Sequence, residues 1–218
     1  MKIKILRMVS QERIGFATIS ILFRVFDYGR GRLLSNLLGW TRSYLGQGSK
    51  ILGTKAISVG ENAYVNRYAW IEAVFHFGGS SYQPTIKIGR GFSAADRLHI
   101  SSINRIEIGE NCLFGSGVYI SDHNHGAYKG LIQSVPSEPP IKRALVSFGP
   151  VEIGSNVWLG DNVVIIGPVK IGDGVVVGAN SVITKDIPCN VIVVGIPQRL
   201  LKRFNDVTGL WESENLTA

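Results

Sequence analysis

Residues 153–188 read IGSNVWLGDNVVIIGPVKIGDGVVVGANSVITKDIP, and a six-residue repeat runs through them. Aliphatic side chains stand at every sixth position, at Ile153, Leu159, Ile165, Ile171, Val177 and Ile183, and Cys189 continues the phase. On an α-helix a step of six advances a residue by about 600°, so the repeat forms no stripe. On a β-strand an even step keeps every repeat residue on one side. The stretch therefore predicts short strands that turn a corner every six residues and stack into coils around an internal aliphatic ladder.

The same step occurs earlier in the chain, with two interruptions. It is found at Val59, Val65 and Ile71, more weakly at Ile88, Ala94 and Ile100, and again at Ile108, Phe114 and Ile120. The first interruption lies between Ile71 and Ile88, and the second between Ile120 and Ile153. A long excursion in so regular a solenoid favours a functional loop, which we expect at about residues 126–147.

Composition excludes several protein classes. The chain has 218 residues, of which 45% are hydrophobic and 18% are charged, which excludes an extended disordered chain. Its 26 glycines follow no collagen period, so we expect them at recurrent tight turns. Cys112 and Cys189 form neither a disulfide framework nor a metal-ligand spacing, which favours a reducing cytoplasm.

The net charge of +7 is concentrated at the N-terminus. Residues 1–55 contain ten basic and two acidic residues, a net +8, so the remainder of the chain carries −1. A uniformly basic surface would indicate nucleic acid, whereas this distribution indicates a local anionic partner. We therefore predict no nucleic-acid binding.

Residues 1–55 are predicted to be partly helical. The uncharged run Ile14–Phe23 is too short to span a bilayer, which needs about 20 residues, and no signal-peptide cleavage site follows it. With Leu33, Leu34, Leu37 and Leu38 it predicts one or two amphipathic helices. Two interpretations remain open: the segment packs against the main domain, or it lies on an anionic membrane surface.

The stretch 153–188 resembles the hexapeptide repeats of the left-handed β-helix acyltransferases. The resemblance covers about residues 56–205 and implies a three-sided prism, a homotrimer and active sites between neighbouring subunits. We therefore expect an all-β fold, a left-handed parallel β-helix over residues 56–195. A helical segment at 1–55 precedes it, and a short helix with a tail at 196–218 follows it. The spacing of Leu200, Leu201 and Phe204 predicts that C-terminal helix.

Two of the four histidines open the second interruption, in ISDHNHG (120–126). Transfer of an acetyl group to a hydroxyl needs a base, and neutral imidazole suits that task. Strand parity counted from Ile120 sends Asp122 and Asn124 inward and His123 and His125 outward. The residues alone leave the two histidines equal as candidates, and a simple polar turn is the alternative.

The resemblance separates the two histidines, because the family's catalytic histidine lies five residues after a repeat position, which matches His125. It thus implies that His125 is the general base and that Asp122 or His123 orients its ring. The longer match of ISDHNHG, Pro139–Pro140, Arg143 and NVWLG (156–160) is similar to bacterial O-antigen and capsule O-acetyltransferases. The candidate acceptor contacts are Asn124, Arg143 and His99. For His76 and His99 a structural or surface role is the alternative.

The resemblance also implies contacts to coenzyme A, whose phosphates pair well with Lys and Arg. Family contacts map onto Ala179, Thr184, Lys185, Arg199 and, by position, Lys202. Trp158 and Asp161 match positions that line the pantetheine arm, although Trp158 is equally suited to packing.

The function expected from the resemblance is transfer of an acetyl group from acetyl-CoA to a sugar hydroxyl of a surface polysaccharide or its precursor. We expect direct transfer, because no Cys or Ser is suitably paired with a base. The enzyme is predicted to be cytoplasmic, with a peripheral location at the inner membrane as an open question. The alternatives are N-acetylation of an amino nucleotide sugar and a non-catalytic β-helix scaffold. A zinc site needs three converging histidines, and His123 and His125 with distant His76 and His99 lack that spacing, so no metal is expected.

Overall fold

The computed structural model describes residues 14–213, which form one long helix followed by stacked coils of short strands. Helix α1 spans Ile14–Leu37. Most coils contribute a strand to each of three sheets, named here faces A, B and C, so the neighbours within a face come from successive coils. Within the described residues no helix is both long and apolar enough to cross a membrane.

Face A has nine strands and face B six. Face A contains β1 (Tyr44–Leu45), β4 (Tyr64–Val65), β9 (Ser93–Ala94), β12 (Leu113–Phe114), β17 (Trp158–Leu159), β20 (Val176–Val177), β22 (Val191–Val194), β23 (Arg199–Asn205) and β24 (Leu210–Ser213). Face B contains β2 (Lys50–Leu52), β5 (Trp70–Ala73), β10 (His99–Ser102), β13 (Tyr119–Ser121), β18 (Val164–Ile166) and β21 (Val182–Ile183).

Face C has five strands, and two hairpins project from the coils. Face C contains β3 (Ile57–Val59), β8 (Thr85–Ile88), β11 (Arg105–Ile108), β16 (Val151–Ile153) and β19 (Val169–Ile171). The hairpins pair β6 (His76–Phe77) with β7 (Ser80–Ser81), and β14 (Asn124–His125) with β15 (Leu145–Val146). Both hairpins fall within the two interruptions of the six-residue repeat.

The aliphatic ladder is confirmed. The six repeat residues from Ile153 to Ile183 are at most 4% exposed. On face A, Phe114, Leu159 and Val177 are in register across neighbouring strands. On face B, Ile120, Ile165 and Ile183 are likewise in register. Apolar side chains from all three faces thus fill one continuous core inside the coils.

The ladder position predicted at Cys189 is wrong, because that residue is exposed and Ile187 pairs with Ile171 instead. The coil from Ile171 to Ile187 is two residues shorter than the coil from Ile153 to Ile171. Because this last coil is shorter, Ile187 takes the ladder position that the six-residue step assigns to Cys189.

The corners explain the glycine content. Gly117 and Gly174 have φ angles of 71° and 65°, which side-chain-bearing residues rarely adopt. Equivalent corners use asparagine, the residue that tolerates this conformation best after glycine: Asn111, Asn156, Asn162, Asn180 and Asn190. At Gly109 a Cβ would lie 2.6 Å from the Gly154 backbone of the next coil. Glycines therefore provide both the turn and the close stacking of corners.

The coils begin before the predicted boundary at residue 56. Strand β1 already pairs with β4, and Leu45 and Ile57 are buried in the core. Leu45, Ile51 and Ile57 stand six residues apart, so the repeat extends into the segment that the sequence analysis assigned to the N-terminal arm.

The predicted C-terminal helix is wrong. Strand β23 pairs antiparallel with β22, and β24 pairs antiparallel with β23. As the last parallel strand of face A, β22 would otherwise leave its outer amides and carbonyls unpaired. Strand β23 satisfies these groups and lays Leu200 against the core, which an isolated helix at this edge could not do.

Helix α1 docks on the first coil through one of its sides. Gly31 is buried, and a Cβ there would meet the ring of Tyr44. The Ser35 hydroxyl donates to the Ser43 carbonyl at 2.6 Å. The Tyr44 hydroxyl donates to the Asp27 carboxylate at 2.9 Å. Of the two interpretations, the one in which this segment packs against the main domain holds for this side of the helix.

Candidate active site

The candidate site begins where β13 leaves face B. The strands of face B are parallel, so the residues that follow β13, β18 and β21 emerge at the same edge of the sheet. Asp122 to His125 follow β13, while Thr184 and Lys185 follow β21. Neighbouring strands are about 4.8 Å apart, which puts the two segments about 10 Å from each other along this edge.

Asp122 is fully buried and accepts four hydrogen bonds. Its donors are the Ser102 hydroxyl at 2.6 Å, the backbone amides of Ile103 and Asn104 at 3.0 and 2.9 Å, and the His123 ring at 3.0 Å. Burial alone would raise the pKa of Asp122, but the hydrogen bonds from His123, Ser102 and the amides outweigh it and hold the pKa below its usual value. Asp122 is therefore a carboxylate that fixes the start of the loop to the preceding coil.

His123 is the ring that Asp122 orients. The contact joins Asp122 Oδ1 to His123 Nδ1, and only 8% of the His123 side chain is exposed. Because a carboxylate can only accept, Nδ1 carries the proton of this contact, and Nε2 is the ring nitrogen left for another partner. The sequence analysis expected Asp122 or His123 to orient His125; Asp122 pairs with His123 instead.

His125 lies exposed on β14, beyond the buried pair. Its ring meets the ring of Phe77 edge-on at 5.0 Å, and its carbonyl accepts the Tyr128 hydroxyl at 2.7 Å. Among residues 14–213, no carboxylate forms a hydrogen bond with the His125 ring. Strand pairing with β15 and contact with Phe77 therefore position this ring, which remains exposed.

The two interruptions of the repeat meet at this histidine. Phe77 belongs to the β6–β7 hairpin, and the Tyr82 hydroxyl after that hairpin accepts the Leu145 amide at 2.9 Å. His76, on the same hairpin, contacts the Ser81 hydroxyl through Nδ1 and is exposed. Phe77 and Tyr82 could not be predicted as site residues, because they stand outside the six-residue phase and no motif marks them.

The loop between β14 and β15, residues 126–144 and named here the excursion loop, is organised around Arg143. This side chain donates to the Glu138 carbonyl at 2.6 Å and to the Tyr128 hydroxyl at 2.7 Å, with longer bonds to two further carbonyls. Arg143 was predicted to contact the acceptor. It is 8% exposed, and its guanidinium is already occupied within the loop, which assigns it to shaping the loop. Asn124 pairs with Val146 in the hairpin.

His99 lies one strand before the site on the outside of face B. Its ring stacks on Trp70 at 4.7 Å and meets Tyr119 edge-on at 5.0 Å. Burial lowers the pKa of His99, and nearby Glu72 opposes that effect. His99 is therefore a neutral ring packed between aromatic neighbours. In the described part of the chain, no group of three or more His, Cys, Asp or Glu could hold a metal ion.

The residues predicted to bind coenzyme A lie in the last coils and in the hairpin of β23 and β24, named here the closing hairpin. Trp158 and Lys202 occupy one outward row of face A, separated by Val176 and Ile192. Three strand spacings between them amount to about 14 Å. Trp158 is 52% exposed, which leaves its ring accessible for contact with a ligand.

The other predicted contacts border that row. Asp161 and Ala179 share a stacked corner, where the Asn180 amide donates to the Asp161 carbonyl at 2.8 Å. Gln198 connects Thr184 and Lys185, since it accepts the Thr184 amide and donates to the Lys185 carbonyl. Gln198 stands directly before Arg199, which brings that arginine to the same end.

These residues fit coenzyme A. Within residues 14–213, none of Lys185, Arg199 and Lys202 is engaged in an ion pair with a carboxylate, so the three cations are available to phosphates. The exposed Trp158 surface and the small Ala179 offer a passage for an uncharged arm. The chemistry of this set is that of a site for an anionic, elongated ligand.

Comparison with known proteins agrees with this architecture. Residues 150–185 match the family model "Bacterial transferase hexapeptide (six repeats)", and residues 105–122 match "Hexapeptide repeat of succinyl-transferase". The chain is 47% identical over 118 residues to WbbJ of Escherichia coli K12, named as a lipopolysaccharide biosynthesis O-acetyl transferase. That match covers 54% of this chain and 60% of WbbJ.

A second relative and a solved structure extend the match. The galactoside O-acetyltransferase of Escherichia coli K12 is 39% identical over 149 residues, covering 68% of this chain and 64% of that protein. The chain thus spans somewhat less than two thirds of these two relatives. A galactoside acetyltransferase solved in complex with coenzyme A has 30% identity and a TM-score of 0.51, covering 78% of this chain and 71% of that chain. The repeat matches, the relatives and the shared left-handed β-helix place the chain in the hexapeptide-repeat acetyltransferase family.

Proposed function

We propose that the protein is an acetyl-CoA-dependent O-acetyltransferase. The acceptor we propose is a sugar hydroxyl of a surface polysaccharide, such as O-antigen, capsule or exopolysaccharide, or of its precursor. The observation that carries the proposal is an exposed histidine, His125, on the same sheet edge as Thr184 and Lys185, two of the predicted coenzyme A residues. The names of the relatives, which refer to lipopolysaccharide and galactoside O-acetylation, support this choice of acceptor.

In the proposed mechanism His125 is the general base. Its exposed ring accepts the proton of the acceptor hydroxyl as the hydroxyl oxygen attacks the acyl carbon, a contribution of about 10²–10⁴-fold in rate. The C–S bond of the thioester would then break, and His125 would return the proton to the departing thiolate of coenzyme A. Asp122 holds His123 close to the start of the loop. Nε2 of His123 then helps to position the sugar that receives the acetyl group. The excursion loop, shaped by Arg143, begins directly after His125, and its Tyr128 hydroxyl holds the carbonyl of that residue.

Lys185, Arg199 and Lys202 hold the phosphates of the donor, while Trp158, Asp161 and Ala179 line its arm. When bound, acetyl-CoA supplies an activated thioester. Within residues 14–213, neither Cys112 nor the exposed Cys189 forms a hydrogen bond with a histidine that could activate it. Burial raises the pKa of the Cys112 thiol, which therefore stays protonated inside the coils. Direct transfer is therefore the mechanism we propose.

We further propose that the enzyme works as a cytoplasmic homotrimer with active sites between subunits. The open side of His125 and the outward row of face A would each then face a neighbouring copy. Mass measured by light scattering tests the trimer: a monomeric mass in an active preparation would overturn it.

The activity is tested by thiol release from acetyl-CoA against a panel of glycans, nucleotide sugars and amino nucleotide sugars. Release that requires a hydroxyl acceptor supports the proposal, whereas release only with an amine acceptor replaces O- by N-acetylation. Coenzyme A should also raise the melting temperature. No shift and no release with any acceptor would leave a non-catalytic scaffold.

The coenzyme A site is tested separately with Lys185→Ala/Lys202→Ala. We expect the KM for acetyl-CoA to rise by about 100-fold or more, since the two lost charge-assisted bonds together remove about 3–6 kcal/mol. Lys170→Ala is the control, because Lys170 is exposed like Lys185 but lies on face C. An unchanged KM in the double variant would move the site elsewhere.

A further inference from the structure

The outer side of helix α1 carries an apolar stripe that no described part of the chain covers. Its residues recur at helical spacing and are between 57% and 76% exposed: Ile19, Leu22, Phe23, Phe26, Leu33 and Leu37. A surface helix of a globular protein normally turns such a stripe toward the core. Here the opposite side, with Gly31 and Ser35, faces the first coil instead.

The charge around the stripe is strongly positive. The helix contains Arg24, Arg30 and Arg32, and its single acidic residue is Asp27. Asp27 is neutralised by Arg30 at 3.0 Å and Arg67 at 3.6 Å, so it adds no exposed negative charge. In sequence, residues 1–13 add four further basic residues against Glu12. An apolar stripe beside arginines, with no free acid on the helix, is the pattern of an interfacial amphipathic helix.

We propose that helix α1 docks the protein on an anionic lipid surface, with the stripe inserted between headgroups. Exposed Leu and Phe side chains supply the buried apolar area, and the basic segment supplies attraction to anionic headgroups. A second copy of this chain is the competing occupant. It would bring its own +8 segment against the first, so like charges would oppose that contact. Charge complementarity therefore favours lipid. The inference stands independently of the acetyl-transfer proposal.

Vesicle sedimentation of the full chain tests the docking. We expect pelleting with vesicles of phosphatidylcholine and phosphatidylglycerol, weak pelleting with phosphatidylcholine alone, and loss of binding as salt rises. Leu22→Ser/Phe23→Ser/Phe26→Ser should lower the affinity for the anionic vesicles by about 100-fold or more. The control is Val207→Ser/Leu210→Ser, which removes two residues that are equally exposed on the closing hairpin and should bind like the unchanged chain.

Circular dichroism and light scattering complete the test. If the triple variant keeps its helicity and mass but loses vesicle binding, the stripe is the docking surface. If its mass falls, the stripe covers a second copy and the lipid proposal is wrong. Equal binding to neutral and anionic vesicles would overturn the electrostatic part. Should the triple variant fail to fold, Arg24→Glu keeps the stripe and should weaken binding to anionic vesicles only.

Discussion

The coils and the excursion loop are built in different ways. In the coils every buried position repeats, so Ile120, Ile165 and Ile183 have equivalent neighbours in successive turns. In the excursion loop each position occurs once, and a single side chain such as Arg143 holds several carbonyls together. The coils thus provide stability through repetition, while the loop provides a unique arrangement of polar groups. Mutations should separate the two contributions.

The sharpest separation is expected at His125. His125→Ala removes the proposed base and should reduce acetyl transfer by about 10²–10⁴-fold, with no change in melting temperature because the ring is exposed. The rate is measured as thiol release from acetyl-CoA with the acceptor found in the panel. His76→Ala is the control, since that histidine is also exposed on a neighbouring hairpin. Retained turnover in His125→Ala would refute the assignment and favour His123.

The converse effect is expected inside the coils. Leu159 is fully buried and Leu113 is 51% exposed, although they lie on adjacent strands of face A. Leu159→Ala should lower the free energy of unfolding by about 2–5 kcal/mol through lost burial and a residual cavity. Leu113→Ala should change it by less than about 1 kcal/mol. Chemical denaturation of the two variants makes the comparison, and similar losses would show that the ladder is not the main source of stability.

The difference between the two regions also explains what the sequence could predict. The step from Ile153 to Ile183 repeats often enough to specify strands, inward direction and stacking from local pattern alone. The same step at Leu45, Ile51 and Ile57 was overlooked because it covers only three positions and Ile57 is out of phase with the set at Val59, Val65 and Ile71. The closing hairpin was misassigned, because Leu200, Leu201 and Phe204 suit a helix locally, while the open edge of β22 makes pairing more favourable.

The site could be predicted only where a motif lies within one short segment. The motif ISDHNHG places Asp122, His123 and His125 close together in sequence. The position of the Asp122 carboxylate, however, depends on donors of the preceding coil, the Ser102 hydroxyl and two backbone amides. Phe77 and Tyr82 reach the site from the other interruption, over a sequence separation that no periodicity describes. Contacts of that kind are fixed by tertiary structure alone.

A smaller effect is expected at Arg143, which belongs to the loop alone. Arg143→Ala leaves the carbonyl of Glu138 and the hydroxyl of Tyr128 without their donor, and we expect the loop to lose order. Hydrogen exchange of residues 126–144 should become faster, and kcat/KM should fall by about tenfold, with the coils unaffected. Lys142→Ala is the control because Lys142 is exposed beside it. If hydrogen exchange in the loop is unchanged and the KM for the sugar acceptor rises, Arg143 contacts the acceptor directly, as the sequence predicted.

The smallest effect is expected at His99, where coils and site meet. Burial lowers the pKa of His99 below its usual value of 6.5, so the folded chain binds this proton less readily than the unfolded chain. Its contribution to stability is therefore complete above pH 6.5 and is lost as the pH falls through the lowered pKa. Melting temperatures of the unchanged chain and of His99→Gln should converge on acidification, because glutamine carries no titrating proton. Parallel curves across this pH range would mean that the stacking with Trp70 holds the ring whatever its charge. The acid sensitivity of the fold would then arise at Asp122, below the usual carboxyl pKa.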